Sequence, residues 1–293
     1  MKRREFIKNT VVSAAFLGAS GLKAEEVEES VITVLHTNDT HSRLDPFPKG
    51  SGYRSGMGGV SRRASLVNLL RKKYKNVLLL DAGDVFQGTP YFNFYEGRLE
   101  YETMSMIGYD FGTLGNHDFD LGVEKLLKAM DFLNFKLINS NYKTDISKFK
   151  KHVLENTVLE KGGIKIGIFG LGVSFKGLVS DEAHKGIIEL DKIETAKKQI
   201  KYLKSKGVDY IILLSHLGVD GDKKLAGEVK GIDLIVGGHS HTKIDKPLVV
   251  GKTLILQAAS SGIYLGKLDL NFKNKTLYSY DYELIPVKEE TEI

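Results

Sequence analysis

The chain has 293 residues, 42% of them hydrophobic and 27% charged, a globular balance with room for one large domain or two small ones. It contains no cysteine, which excludes a disulfide framework, a zinc ribbon, an iron–sulfur cluster and a thiol nucleophile. The formal net charge is +5, but the basic excess is concentrated at the N-terminus and does not describe the rest of the chain.

Residues 1–24 read as an export signal. Lys2, Arg3, Arg4 and Lys8 make a basic start, and Val11 to Leu22 is a mildly apolar run of 12 residues. That run is too short to span a bilayer, which needs about 20. Leu22-Lys23-Ala24 is an acceptable cleavage site. Arg3-Arg4-Glu5-Phe6-Ile7-Lys8 resembles the twin-arginine export motif; an ordinary secretory signal with a chance arginine pair is the alternative. The segment carries five basic residues (Lys2, Arg3, Arg4, Lys8, Lys23) and one acid, Glu5; subtracting them from 42 and 37 leaves 37 basic against 36 acidic residues. A nearly neutral remainder has no electrostatic footprint for duplex nucleic acid. No other apolar run is long enough for a membrane anchor. The expected product is a soluble periplasmic protein made of one domain, residues 25–293, folded before the twin-arginine machinery exports it.

After the short acidic stretch Glu25 to Ser30, apolar runs alternate with helical patterns. Strands are predicted at Val31–Leu35, Val77–Leu80, Phe111–Leu114, Lys136–Asn139, Ile164–Phe169, Tyr210–Leu214 and Asp233–Val236. Most are continuously apolar, as strands covered on both faces are. Val60 to Lys73 carries apolar residues at helical spacing, and Asp191-Lys192-Ile193-Glu194 reads as a capping box ahead of Ala196, Ile200 and Leu203. Towards the C-terminus Thr253–Gln257, Tyr264–Phe272 and Leu277–Leu284 read as consecutive strands, with a hairpin turn within Asn271 to Lys275. The Gly-rich stretch Lys49 to Gly59 reads as a mobile loop and lacks the Gly-Lys-Ser/Thr ending of a phosphate loop. Gly170-Leu171-Gly172 follows a strand, but Phe175 stands where a dinucleotide fingerprint needs its third glycine.

The histidines and acids fall in a pattern. His41, His117, His216 and His239 lie just beyond predicted strands, and His241 follows His239 by two residues. The blocks are Thr37-Asn38-Asp39-Thr40-His41, Asp81-Ala82-Gly83-Asp84, Gly115-Asn116-His117-Asp118-Phe119-Asp120, Ser215-His216-Leu217-Gly218 and Gly237-Gly238-His239-Ser240-His241. In open α/β sheets that edge is where loops converge on ligands. Oxygen and nitrogen donors suit Mn, Zn, Fe, Co or Mg rather than a thiolate-loving metal. A single block could be a structural turn; five in succession after apolar strands point to a metal centre.

These phrases resemble the calcineurin-like metallophosphoesterases, and closely their 5′-nucleotidase branch. The match is carried by Leu35-His36-Thr37-Asn38-Asp39-Thr40-His41, by Asp81 to Thr89, by Gly108 to Asp120, and by Ser215-His216-Leu217-Gly218, Gly238-His239-Ser240-His241 and Gln257-Ala258-Ala259-Ser260. The resemblance runs from about Val31 to Phe272. It implies a four-layer α/β/β/α sandwich and two divalent metal ions. One would be held by Asp39, His41 and His241, the other by Asn116, His216 and His239, with Asp84 bridging both. It also implies His117 as the catalytic histidine, oriented by Asp120, and attack on phosphorus by a hydroxide between the metals.

Other residues have plainer readings. His36 reads as a buried strand residue, and His152 and His184 as surface residues. Arg62, Arg63 and Arg71 to Lys73 read as a solvated helix face, with Arg62 able to reach the site. Asp81 either supports the site or ends its strand, and Asp118 either supports it or caps a turn. Tyr91, Phe92, Phe94 and Tyr95 read as core, with lining of a pocket as the alternative. Two-domain 5′-nucleotidases carry a C-terminal domain that stacks the base and supplies arginines; with the sequence ending at Ile293, that domain is expected to be absent. Nucleotide specificity therefore does not carry over with the resemblance: the expected substrate is a phosphate ester, foremost a nucleotide, with sugar or other phosphomonoesters also open; a cyclic 2′,3′-phosphodiester or a sulfur–sulfur bond is the enzymatic alternative, and a non-catalytic metal- or phosphate-binding module the other. A partner or oligomer is a further source of the missing surface.

Overall fold

A computed structural model of the protein describes residues 28–289. The export motif and its cleavage site lie outside the described residues. In chain order the elements are β1 (Glu29–Thr37), α1 (Val60–Lys73), β2 (Val77–Asp81), α2 (Pro90–Tyr95), α3 (Arg98–Ile107), β3 (Phe111–Gly112), α4 (Gly122–Ala129), β4 (Lys136–Ile138) and β5 (Tyr142–Lys143). There follow α5 (Ser147–His152), β6 (Val153–Leu154), β7 (Asn156–Lys161), β8 (Ile164–Gly172), β9 (Ile188–Glu189), α6 (Lys192–Ser205), β10 (Tyr210–His216) and α7 (Gly218–Glu228). The chain closes with β11 (Leu234–Gly237), β12 (Leu248–Val250), β13 (Thr253–Leu256), β14 (Tyr264–Lys273) and β15 (Thr276–Pro286). Among the described residues no helix is long and apolar enough to cross a membrane.

Two sheets face one another. The first has seven strands in the order β15-β14-β1-β2-β3-β4-β6, the second six in the order β12-β13-β11-β10-β8-β7. Successive side chains of a strand point to opposite faces, which explains the continuous apolar runs. Ile32, Val34, Leu78 and Leu80 meet Ile166, Ile168, Ile212, Leu214 and Val236 between the sheets. The alternate residues Leu35 and Leu79 pack outward under Leu66, Leu70, Tyr101 and Leu126 of α1, α3 and α4. On the other side Ile211, Leu213 and Ile235 pack under Ile200 and Leu203 of α6 and Leu225 of α7. Helix, sheet, sheet, helix is the four-layer α/β/β/α sandwich that the sequence resemblance implied.

α1 occupies the predicted span. Asp191 caps α6 by accepting from the Glu194 backbone N–H at 2.8 Å, while Glu194 turns to Lys197 instead of completing a reciprocal box. The C-terminal strands depart from the expected succession: β13 belongs to the second sheet, whereas β14 and β15 pair with β1 in the first. The connection runs over the strand ends, where Asn38 Nδ2 donates to the Ala259 carbonyl at 2.6 Å. The hairpin between β14 and β15 turns on Asn274 and Lys275, whose φ angles of 47° and 62° are those of a tight two-residue turn. The loop expected to be mobile, Lys49 to Gly59, is tied back: Phe47 N donates to Met57 O at 2.8 Å, Gly58 N to Val287 O at 2.7 Å, and the Arg43 guanidinium lies 4.3 Å from the Phe47 ring centroid.

Candidate metal centre

The parallel strands β1, β2, β10 and β11 release their chains at one edge, and the turns there are unusually bent. Asp39, His41, Asp84, His239 and His241 have φ between 47° and 73°, in the left-handed region. A non-glycine residue there costs about 1–2 kcal/mol, so the surroundings must hold it. Asp39 N donates to Gly83 O at 2.8 Å, His41 N to Asp84 O at 3.1 Å, and Ser261 N to Asp39 O at 2.7 Å. His239 N donates to both Asp39 carboxylate oxygens, at 3.0 and 2.9 Å. Asp118 is wholly buried and accepts the backbone N–H of Gly115 (2.8 Å), Val85 (3.1 Å), Asp84 (3.2 Å) and Phe86 (3.3 Å). It therefore caps one turn and braces another, joining both readings that its sequence position left open.

These turns bring the candidate residues together. Asp39, His41 and His241 form one group and Asp84, His216 and His239 another; within each, one donor atom per residue lies within 4.8 Å of the others. His216 Nδ1 donates to the Ala82 carbonyl at 2.6 Å, and His41 Nδ1 to Phe86 O at 3.2 Å. Each bond orients the ring and leaves Nε2, once it is unprotonated, as the nitrogen open to a metal. His41 Nε2 and His241 Nε2 stand 2.9 Å apart, His241 Nε2 is 3.3 Å from Asp39 Oδ1, and His216 Nε2 is 3.0 Å from Asp84 Oδ2. Ring nitrogens and carboxylates at such distances are compatible only with positive charge among them, carried by protons or by a metal ion. Asn116 is buried with an unpartnered Oδ1, and its neighbour His117 donates its backbone N–H to Asp84 Oδ1 at 2.8 Å.

Titration behaviour carries the same sign. Burial opposes ionisation of Asp84, yet His216, His117 and His41 hold its carboxyl well below the ordinary range. Burial likewise opposes a proton on His216, but Asp84 and Asp39 raise it to about 10. The carboxylate charge that favours a proton on the buried His216 imidazole would favour another cation in the same place. The donors, carboxylate oxygen, imidazole nitrogen and amide oxygen, fit divalent ions of the Mn, Zn, Fe, Co or Mg kind. Glycines make the close approach possible: a Cβ on Gly115 would lie 2.1 Å from Asp84 Oδ1, and one on Gly238 would lie 2.7 Å from Ala82 O and 2.9 Å from His216 Nδ1.

Beside the two groups, His117 Nδ1 and Asp120 Oδ2 are 2.9 Å apart, and the His117 and His41 ring centroids are 5.4 Å apart. Asp81 is set back: its oxygens accept from Thr37 Oγ1 (2.6 Å) and Gly83 N (2.9 Å). His36 is buried and stacks on Tyr282, with centroids 6.0 Å apart. His152, expected at the surface, is buried at the end of α5 with Nε2 3.8 Å from Asp131 Oδ1, and His184 is half-buried against the Phe175 ring at 4.5 Å. Arg62 bonds Gly56 O at 2.6 Å. Arg63 is buried rather than solvated, and Arg71 bonds the carbonyls of Ile107 and Gly108. Of the aromatic cluster only Phe92 joins the core; Tyr91, Phe94 and Tyr95 line a cavity. Gly170 and Gly172 serve packing, since a Cβ would lie 1.9 Å from Ile138 O and 2.2 Å from the Tyr142 ring.

Sequence reasoning passed over two supports. Asn38 donates to Asp39 Oδ2 at 2.6 Å and accepts from Ala258 N at 2.7 Å. Gln257 donates to Gly238 O at 2.5 Å and accepts from Ser240 Oγ and Thr242 N, bracing the turn that carries His239 and His241. Both residues stood inside the matching phrases; what identifies their task is the contact across more than 200 residues for Asn38 and the fold of one turn for Gln257.

The calcineurin-like phosphoesterase profile matches residues 32–243. A snake venom 5′-nucleotidase of Crotalus adamanteus is 34% identical over 270 residues, covering 83% of this chain and 46% of that protein. The trifunctional nucleotide phosphoesterase protein YfkN of Bacillus subtilis is 33% identical over 305 residues, covering 89% of this chain and 20% of that protein. Among solved structures, a 5′-nucleotidase precursor from Thermus thermophilus superposes with a TM-score of 0.81 at 35% identity, over 88% of this chain and 54% of that one. The chain spans about half the length of these relatives, or less. Fold, family profile and shared sequence agree: the chain belongs to the calcineurin-like phosphoesterase family.

Proposed function

We propose that the protein is a metal-dependent phosphoesterase that hydrolyses nucleotide phosphomonoesters in the periplasm, which it reaches through the twin-arginine machinery. The observation that carries the reaction is the pair of three-residue donor groups with a carboxylate-paired histidine beside them. Asp39, His41 and His241 would hold one divalent ion and Asn116, His216 and His239 the other, with Asp84 between. When bound, such ions neutralise a phosphate and lower the pKa of water towards 7.

The chain's own residues do the rest. The Ala82 and Phe86 carbonyls bind Nδ1 of His216 and His41 and so would leave Nε2 of each to ligate. The Asp84 charge acts on His216, His117 and His41 together, so one carboxylate would offset repulsion between cations held on either side of it. His117, with Nδ1 bound to Asp120, has Nε2 free to protonate the oxygen that leaves phosphorus. The nucleotide preference rests on the relatives that are 5′-nucleotidases, and the location rests on Arg3-Arg4-Glu5-Phe6-Ile7-Lys8.

One preparation tests the activity: metal content by elemental analysis, then phosphate release from nucleoside 5′-monophosphates, a 2′,3′-cyclic nucleotide and p-nitrophenyl phosphate, and cleavage of a thiosulfonate conjugate. Metal-stimulated release from the monophosphates supports the proposal. Fully metallated protein that releases phosphate from none of them overturns it, and turnover confined to the cyclic ester or the thiosulfonate reassigns the bond. Replacing Arg3 and Arg4 by lysine and fractionating the cells tests the export route; unchanged periplasmic yield would remove it.

A further inference from the structure

α2 presents only Phe92 to the core, against the Phe86 ring at 5.4 Å. Phe94 leaves 81% of its surface in water and Tyr95 leaves 50%. A lone exposed aromatic calls for no explanation, but several on one short helix forming a concave wall do. Tyr91, Phe94, Tyr95, Thr89, Arg43 and Asp45 line a cavity of about 720 Å³, within the size range of small-molecule sites.

The cavity's lining neighbours the metal centre through Thr89 and Arg43. Thr89 Oγ1 donates to Ser42 O at 2.9 Å and pairs with Ser42 Oγ at 2.8 Å. Ser42 directly follows His41, and Gly88 lies so close that a Cβ there would be 2.9 Å from the His41 carbonyl oxygen. Arg43 is two residues beyond His41, so their Cα atoms are within roughly 7 Å. The polar groups are already positioned: Arg43 lies over Phe47, and Tyr91 donates to Asp45 Oδ2 at 2.7 Å.

Exposed flat rings, a fixed guanidinium and an anchored carboxylate acceptor, on a chain segment that begins two residues after His41, match a planar heteroaromatic ring with N–H donors. A bare sugar phosphate has no π-face to stack on them, whereas every base has one. We infer that this cavity is a base subsite, which receives the nucleobase of a nucleoside phosphate, stacked on Phe94 and Tyr95, while the ester lies at the metal centre. The inference rests on the proposed nucleotide phosphoesterase reading and gives it a determinant of selectivity within this chain.

Two readouts on the metallated protein separate the inference from that reading. Calorimetric binding of adenosine reports the subsite without hydrolysis, and the ratio of kcat/KM for adenosine 5′-monophosphate over ribose 5-phosphate reports selectivity. Phe94→Ala and Tyr95→Ala should each weaken adenosine binding and lower that ratio roughly tenfold. Met106→Ala, which removes an equally exposed apolar side chain from α3, should change neither. Adenosine binding that both aromatic variants leave intact, a wild-type ratio near one, or a protein that binds no adenosine and instead dimerises through this face overturns the inference. Adenosine bound through Phe94 by a protein that hydrolyses neither ester sinks the phosphoesterase reading and leaves the subsite standing.

Discussion

Asp120 Oδ2 lies 2.9 Å from Nδ1 of His117, three residues earlier and across a single 3-10 turn, His117–Phe119. The pairing raises the His117 pKa above its ordinary 6.5, first through the hydrogen bond to Asp120, against an opposing contribution from burial. The imidazolium therefore persists to higher pH, and any stability that the pair contributes is present below 6.5 and lost as pH rises through the raised value. If His117 is the acid, kcat/KM should fall on that same alkaline side. Asp120→Asn should move the fall to lower pH, read from the pH profile; an unmoved limb would detach Asp120 from the role of orienting His117.

His117→Asn should keep the metal content of the wild type while kcat drops by about 10²–10⁴-fold. Asp84→Asn should lose metal and nearly all turnover, because the carboxylate touches both His216 and the His117 backbone. Elemental analysis beside kinetics distinguishes the two, and metal loss in the His117 variant would place that residue among the ligands.

Gly115→Ala tests how tightly the centre is built. Gly115 lies outside the left-handed φ region, so its substitution reads contact alone. The added Cβ would lie 2.1 Å from Asp84 Oδ1 and 2.6 Å from His216 Nε2. Displacing both should reduce metal binding sharply, with a stability loss of about 1–3 kcal/mol, the usual range for overpacking. Retained metal with unchanged kcat would show that the carboxylate and imidazole have room to move.

Asp118→Ala should destabilise the protein by about 3 kcal/mol or more, because four backbone N–H groups lose one buried acceptor. Asp118→Asn, which keeps an acceptor oxygen, should cost less. Urea denaturation orders the three proteins; equal losses in both variants would point to charge rather than backbone bracing.

Burial pushes the His36 pKa from 6.5 down to about 3. Below 6.5 the unfolded chain takes up a proton that the folded chain refuses, so stability falls as pH drops from 6.5 towards 3. At pH 4.5 this amounts to roughly 3 kcal/mol. His36→Phe keeps a ring against Tyr282 and cannot titrate, so its stability difference between pH 7 and pH 4.5 should shrink by about that amount. An equal acid sensitivity in both proteins would assign the loss to other groups.

Much of the fold is written locally. Ile211 and Leu213 face one layer and Ile212 and Leu214 the other, so a run apolar at every position already says that both sides of β10 are covered. The helix over Val60 to Lys73 follows from its spacing for the same reason. Which side of a helix meets the core is not local: Arg63 lies inside that helical face and Phe94 outside a short one, because neighbouring elements, rather than the residue's own polarity, decide what is covered. The apparent run of three C-terminal strands divides between two sheets, since pairing partners are set by strands distant in sequence, β11 for β13 and β1 for β14.

Residue order alone determined the chemistry present: carboxylates, imidazoles and an amide, with no thiol, beside glycines at the ends of apolar strands. Tertiary structure alone decided that the Ala82 and Phe86 carbonyls would orient the imidazoles, that Asn38 and Asp118 would hold turns in left-handed geometry, and that aromatic rings would stand open beside Arg43. The physical reason is range: a side chain's donor atoms come with its identity, whereas their lone pairs acquire a direction only when distant backbone closes around them.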